Sequence, residues 1–168
     1  MRIKAFFFSL MLFTSVFAAP KTGRTAPPPD TAVFDAVMIN SSLEPESAAE
    51  AERLRHLTDS LRQALEKSGQ YRIVDLAPIK DQLSAVKAIY ACNGCEIDLA
   101  KKVGAQRAVV AWVQKVSDLI LNINVRISDI ETGKALKSGS VDIRGNSDQS
   151  WERGLKFLLE EHVFGDRP

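Results

Sequence analysis

The chain has 168 residues, 45% of them hydrophobic and 26% charged, with a formal net charge of +1. These are ordinary globular proportions, and they exclude a disordered, collagen-like or multi-span membrane protein. The near balance of charge excludes the positive field that nucleic-acid binding or attachment to an anionic membrane draws on.

Arg2 and Lys4 precede an apolar run from Ala5 to Phe17, and Val16-Phe17-Ala18 puts a small residue at a cleavage position. Charged, then apolar, then small is the order of a secretory leader, so residues 1–18 are expected to be removed and the protein delivered to the periplasm. The run is shorter than the roughly 20 apolar residues of a spanning helix, and Ser9, Thr14 and Ser15 interrupt it. No cysteine near the cleavage point is placed to carry a lipoprotein's lipid. The expectation is a mature protein of 150 residues with no membrane span. Residues 19–30 hold Pro27-Pro28-Pro29 and read as a stiff polyproline spacer, leaving residues 31–168 as a single domain.

Val33 to Ile39 is apolar on both faces except at Asp35, as a strand inside a sheet would be. Ser47 and Glu50 then form a capping box, in which the serine oxygen and the glutamate each satisfy an orphan N–H. Behind it Leu54, Leu57, Leu61 and Leu65 recur at helical spacing, predicting a helix over about 48–67 that stops before Gly69. Tyr71 to Leu76 reads as a second strand. Pro78 suits the first turn of a helix carrying Ile79, Leu83, Val86 and Ile89, and a turn at Cys92–Cys95 leads into a short helix over 96–103.

Gln106 to Val116 is apolar at nearly every position and predicts a central strand covered on both faces. Leu119, Leu121, Ile123, Val125 and Ile127 alternate with Ile120, Asn122, Asn124, Arg126 and Ser128, the period of two of a strand with one buried face. Glu131-Thr132-Gly133-Lys134 supplies a hairpin turn, and a return strand over about 136–144 turns Gly139, Val141 and Ile143 to the buried side. Pairing Val125 with Val141 and Ile123 with Ile143 keeps the apolar side chains together. A last helix follows Asn146, with Trp151, Leu155, Leu158, Leu159 and Val163 on its apolar stripe and Gly154 placed for close contact with the sheet. The order strand, helix, strand, helix, helix, three strands, helix is that of an α+β fold: a mixed sheet of about five strands with helices packed on it.

Cys92 and Cys95 are the only cysteines, and in an oxidising compartment an accessible pair at this spacing is expected to be a disulfide. Three readings remain open: a clip that shapes the turn, a redox-active dithiol near a helix N-terminus, and a metal or haem site. Covalent haem needs histidine after Cys95, where Glu96 stands, and zinc needs two further ligands, so no metal and no cofactor is expected. His56 and His162 fall off the apolar stripes and are expected on solvated surface. Phosphate-loop, dinucleotide, zinc-protease and nucleophile-elbow motifs are absent from the sequence, and no catalytic residue emerges.

The proposed register sets Asn122 opposite Arg144, Asn124 opposite Asp142 and Arg126 opposite Ser140 on the hairpin's polar face. That face is either an ordinary solvated surface, with Arg126 and Asp142 paired diagonally, or the place where a partner protein docks.

The stretch Cys92-Asn-Gly-Cys95-Glu96 through Ala100, then Val103-Gly104-Ala105, Val109-Val110-Ala111 and Ile127-Ser-Asp129-Ile-Glu-Thr132-Gly133 resembles a group of bacterial envelope domains. The group includes the N-terminal domain of TolB, the curli secretion component CsgG and uncharacterised predicted periplasmic families. The resemblance implies an anticodon-binding-like mixed sheet in the cell envelope that acts through protein contacts, and it brings no catalytic residue. The expected function is a periplasmic accessory domain that binds another envelope protein, with a dithiol/disulfide role for Cys92 and Cys95 as the alternative.

Overall fold

The computed structural model describes residues 26–165, so the expected leader lies outside the described residues, as does the first part of the expected spacer. In chain order the elements are β1 (Asp30–Val33), β2 (Val37–Asn40), α1 (Ala48–Lys67), β3 (Arg72–Ile73), α2 (Lys80–Ser84), α3 (Cys95–Lys102), β4 (Arg107–Ser117), β5 (Ile120–Asp129), β6 (Ala135–Arg144) and α4 (Asp148–Leu158). Short 3-10 turns at Ala77–Ile79 and Ile89–Ala91 flank α2, and a π turn over Leu159–Val163 extends α4. The strands form one mixed, open six-stranded sheet in the order β3-β1-β4-β5-β6, with β2 also on β4.

β4 is buried on both faces for most of its length and holds the middle of the sheet. On one face α1 and α4 cover Val109, Ala111, Val113, Leu121, Ile123, Val125 and Ile127 with their leucines and Trp151. On the other face α2, α3 and the 3-10 turns cover Ala32, Phe34, Ala108 and Val110, with Trp112 packed against them, and leave Gln114, Val116, Ile120, Asp142 and Arg144 exposed.

The capping box forms as expected: Ser47 Oγ accepts from the Glu50 N–H, and Glu50 Oε2 accepts from the Ser47 N–H at 2.7 Å. Gly154 meets the sheet so closely that a Cβ there would lie 2.4 Å from Ile143 Cγ2.

Four expectations are corrected. The first strand is two, because Phe34, Asp35 and Ala36 bulge between parallel pairings of Val33 with Val109 and Val37 with Trp112. Helix α1 satisfies the groups freed there: the Ala36 N–H donates to Thr58 Oγ1 at 2.9 Å, and Arg62 donates to the Val33 carbonyl at 3.0 Å. The second strand shrinks to Arg72–Ile73, because its only neighbour is the four-residue β1. The helix after Pro78 breaks beyond Ser84, and the chain turns so that Ile89 reaches the core.

The hairpin register differs by two residues from the expected one: Ile123 pairs with Val141, Leu121 with Ile143 and Val125 with Gly139. The Asp129 N–H donates to the Lys134 carbonyl at 2.9 Å, closing a loop in which Gly133 takes φ +68°, and a bulge follows. A shift of two keeps every side chain on its expected face.

Candidate functional site

The open part of the sheet face belongs to the second halves of β4 and β6 and the first half of β5 between them. Asn122 stands opposite Asp142, Asn124 opposite Ser140, Arg126 opposite Ser138 and Arg144 opposite Ile120. The amides form a surface chain: Asn122 Nδ2 donates to Asp142 Oδ1 at 2.8 Å, Asn124 Nδ2 donates to Asn122 Oδ1 at 2.6 Å, and Ser140 Oγ donates to that same oxygen at 3.0 Å. Beside it Val116 and Ile120 are about half exposed, at 53% and 45%.

Arg126 does not pair with Asp142. Its guanidinium turns towards α3, donating to Glu96 Oε1 at 3.1 Å and to the Tyr90 carbonyl at 3.3 Å, and lies 5.9 Å from the Trp112 ring centroid. Trp112 stacks on Tyr90 with centroids 5.9 Å apart. Glu96 is buried, so the guanidinium supplies the partner its charge needs. Arg126 is thus the seam where the covered half of the face meets the open half.

Cys92 and Cys95 are joined in a disulfide across a turn in which Asn93 and Gly94 both take left-handed backbone angles. Gly94 caps α3 without a side-chain acceptor. Glu96 Oε2 lies 3.4 Å from Cys92 Sγ. A carboxylate there opposes a thiolate, which weighs against dithiol exchange at this pair. Cys92, Cys95 and Glu96 form a cluster with metal-ligand spacing, but the disulfide occupies both sulfurs.

His56 is exposed beside Glu52. His162 departs from the solvated position expected of it: a Cβ at Gly139 would lie 2.5 Å from His162 Cβ, so the imidazole packs over β6.

A buried polar cluster, which reading the sequence missed, ties α1 and α4 to the β4–β5 turn. Lys115 Nζ lies 2.6 Å from Glu50 Oε1 and 2.8 Å from Asp118, and Asn146 Nδ2 donates to Glu50 Oε1 at 2.7 Å. Asn146 Oδ1 in turn accepts from Trp151 Nε1 at 3.0 Å. Burial works against ionised Glu50, but the bonds from Lys115, Ser47 and Asn146 win and hold its carboxyl at about 2. Asp118 and Glu50 together hold the Lys115 ammonium at about 12. The signal for this cluster was a lysine on the core side of a strand otherwise apolar there, which demands a buried anion.

No helix among the described residues is long and apolar enough to cross a membrane. Residues 29–163 match the DUF3280 family, whose description reads "Protein of unknown function (DUF2380)". No curated protein matches the sequence. Among solved structures, the LpoB C-terminal domain from Salmonella enterica is 25% identical with a TM-score of 0.50, over 73% of this chain and 87% of that one. Lipoprotein GNA1162 from Neisseria meningitidis shares the fold, at 18% identity and a TM-score of 0.53, over 79% of this chain and 92% of that one. TolB from Acinetobacter baumannii matches at 11% identity and a TM-score of 0.44, over 80% of this chain and 28% of that one, too weak for the TolB resemblance to be carried further.

Proposed function

The chain belongs to the DUF3280 family, and on that premise we propose that it is an exported accessory domain of the cell envelope that binds another envelope protein. The docking surface is the open half of the sheet face, carried by Asn122, Asn124, Asp142 and Arg144 with Arg126 at its inner edge. The observation that carries this reading is the half-covered face: α2 and α3 bury Ala108 and Val110 but leave Val116 and Ile120 in solvent beside a chain of amides. Apolar positions next to fixed polar groups offer a partner both area and orientation. The leader-like order of residues 1–18 supports export, and the likeness to the LpoB domain supports an envelope setting.

The test uses Gln114→Arg with Ser140→Arg, both exposed on that face. These put two bulky cations on the surface without touching Arg126, whose bonds to Glu96 make it unsuitable for charge reversal. Affinity capture from the periplasmic fraction should lose a specific partner in the double variant while circular dichroism and melting stay unchanged. An unchanged set of co-purifying proteins with an intact fold removes the reading.

A further inference from the structure

Asn93 stands apart from the other asparagines of the chain. Asn40, Asn122, Asn124 and Asn146 each donate a side-chain hydrogen bond, to the Glu44 carbonyl, Asp142, Asn122 and Glu50 respectively. The Asn93 carboxamide is exposed and has no hydrogen-bond partner among the described residues. It is also the one asparagine followed by glycine, since the others precede Ser41, Ile123, Val125 and Ser147. Its backbone takes φ +55°, the one left-handed angle outside glycine among the described residues, and Gly94 follows at +104°. The Gly94 N–H donates to no acceptor among the described residues. A Cβ at Gly94 would find nothing within 4 Å, so the space beside this nitrogen is open.

We infer that Asn93 is a site of spontaneous covalent modification, losing its side-chain amide by deamidation at a rate that the Cys92–Cys95 disulfide sets. The Gly94 nitrogen gives its proton to solvent and attacks Asn93 Cγ. The new C–N bond closes a five-membered succinimide, and the side-chain nitrogen takes up a proton and leaves as ammonia. Water then opens the ring: at the side-chain carbon it gives aspartate, and at the main-chain carbon it gives isoaspartate. One water is consumed, one ammonia is released, and nothing is oxidised or reduced. Asparagine is a chemically labile residue, and glycine exposes it further because no Cβ shields the attacking nitrogen. The disulfide closes a small ring around Asn93 and Gly94, so the rotation that carries the Gly94 nitrogen onto Cγ has to occur inside that ring. An intact disulfide therefore slows the reaction, and an opened one releases it. The product places a carboxylate where a neutral amide stood, at the lip of a cleft also lined by Glu96, Asp98 and Arg126. Isoaspartate in addition lengthens the main chain within the disulfide ring.

The experiment holds the purified protein, disulfide intact, in mildly alkaline buffer at body temperature for several weeks. Intact mass, isoelectric focusing and peptide mapping that separates isoaspartate from aspartate follow the change. The mass should rise by the difference between a carboxylic acid and an amide, and the change should map to Asn93 with both products present. Asn93→Gln should abolish it, with circular dichroism unchanged. Cys92→Ser with Cys95→Ser should convert at least threefold faster, and so should wild type kept reduced, which opens the ring without any substitution. Asn93 left intact in wild type over that period, conversion at Asn122 or Asn124 as fast as at Asn93, or a rate unchanged when the ring is opened by reduction overturns the inference.

Discussion

Gly154→Ala sets two effects of known size against each other. Alanine gains about 1 kcal/mol over glycine inside a helix, and Gly154 lies within α4. Against this, the added Cβ would lie 2.4 Å from Ile143 Cγ2 and 3.1 Å from Ile123 Cδ1. The Ile123 contact is the free end of a side chain and can yield. Ile143 Cγ2 is fixed to its own β-carbon, so relief requires α4 to lift from the sheet or β6 to shift. Overpacking of this kind costs about 1–3 kcal/mol and more when the backbone has to move. The upper part of that range applies, and the net loss is about 1–2 kcal/mol, or about 3–8 °C in melting temperature for a domain of this size. Urea and thermal unfolding of wild type, Gly154→Ala, Ile143→Ala and the double variant make a cycle. The double variant should recover at least about 0.5 kcal/mol relative to the sum of the single effects, because the truncated Ile143 makes room for the new methyl. A Gly154→Ala protein more stable than wild type refutes the close-contact argument, since helix propensity alone would then govern the site.

Glu50→Gln leaves Lys115 with Asp118 at 2.8 Å and Glu44 at 3.9 Å, both exposed, and should cost about 2–4 kcal/mol in chemical unfolding. The same pair makes stability depend on pH. Glu50 is held at about 2 against an ordinary value of 4.5, so its contribution is present above pH 4.5 and is lost as the pH falls through that interval. By linkage this amounts to roughly 3 kcal/mol. Lys115 is raised from 10.5 to about 12, so its contribution is complete below pH 10.5 and drains away above it; Glu50→Gln should flatten the acid side of a stability–pH curve. Cys92→Ser with Cys95→Ser opens a loop so small that roughly 2 kcal/mol is lost, and the loss should show as faster amide exchange in α3 ahead of a change in global unfolding. Arg126→Ala strands buried Glu96 and should cost about 2–3 kcal/mol, with a changed fluorescence signal from Trp112 in a Trp151→Phe background.

The parts of the fold legible in the sequence are those decided by near neighbours. Ser47 and Glu50 sit three residues apart and cap α1 whatever surrounds them. The alternation along β5 assigns its faces because the strand period is two. The hairpin register shows the limit of that reasoning. A pairing of Ile123 with Val141 and one of Ile123 with Ile143 bury the same face, and only the closure of the Asp129–Lys134 loop and its bulge choose between them. The first strand divides for a similar reason, since the bulge at Phe34–Ala36 depends on Thr58 and Arg62 of α1. At the candidate site the amide chain of Asn122 and Asn124 could be read from the pattern, whereas the turning of Arg126 to Glu96 joins residues 30 apart.

Occupancy of the open face can be read directly by labelling. With the two native cysteines joined, a Ser140→Cys variant carries one free thiol on the face, and a Ser60→Cys variant carries one on the exposed side of α1. A small maleimide applied to intact cells and to the purified domain compares their reactivity. Protection of the Ser140 position at least several-fold in cells, with equal labelling at Ser60 in both settings, is the predicted result. Equal labelling of the Ser140 position inside and outside the cell contradicts the account.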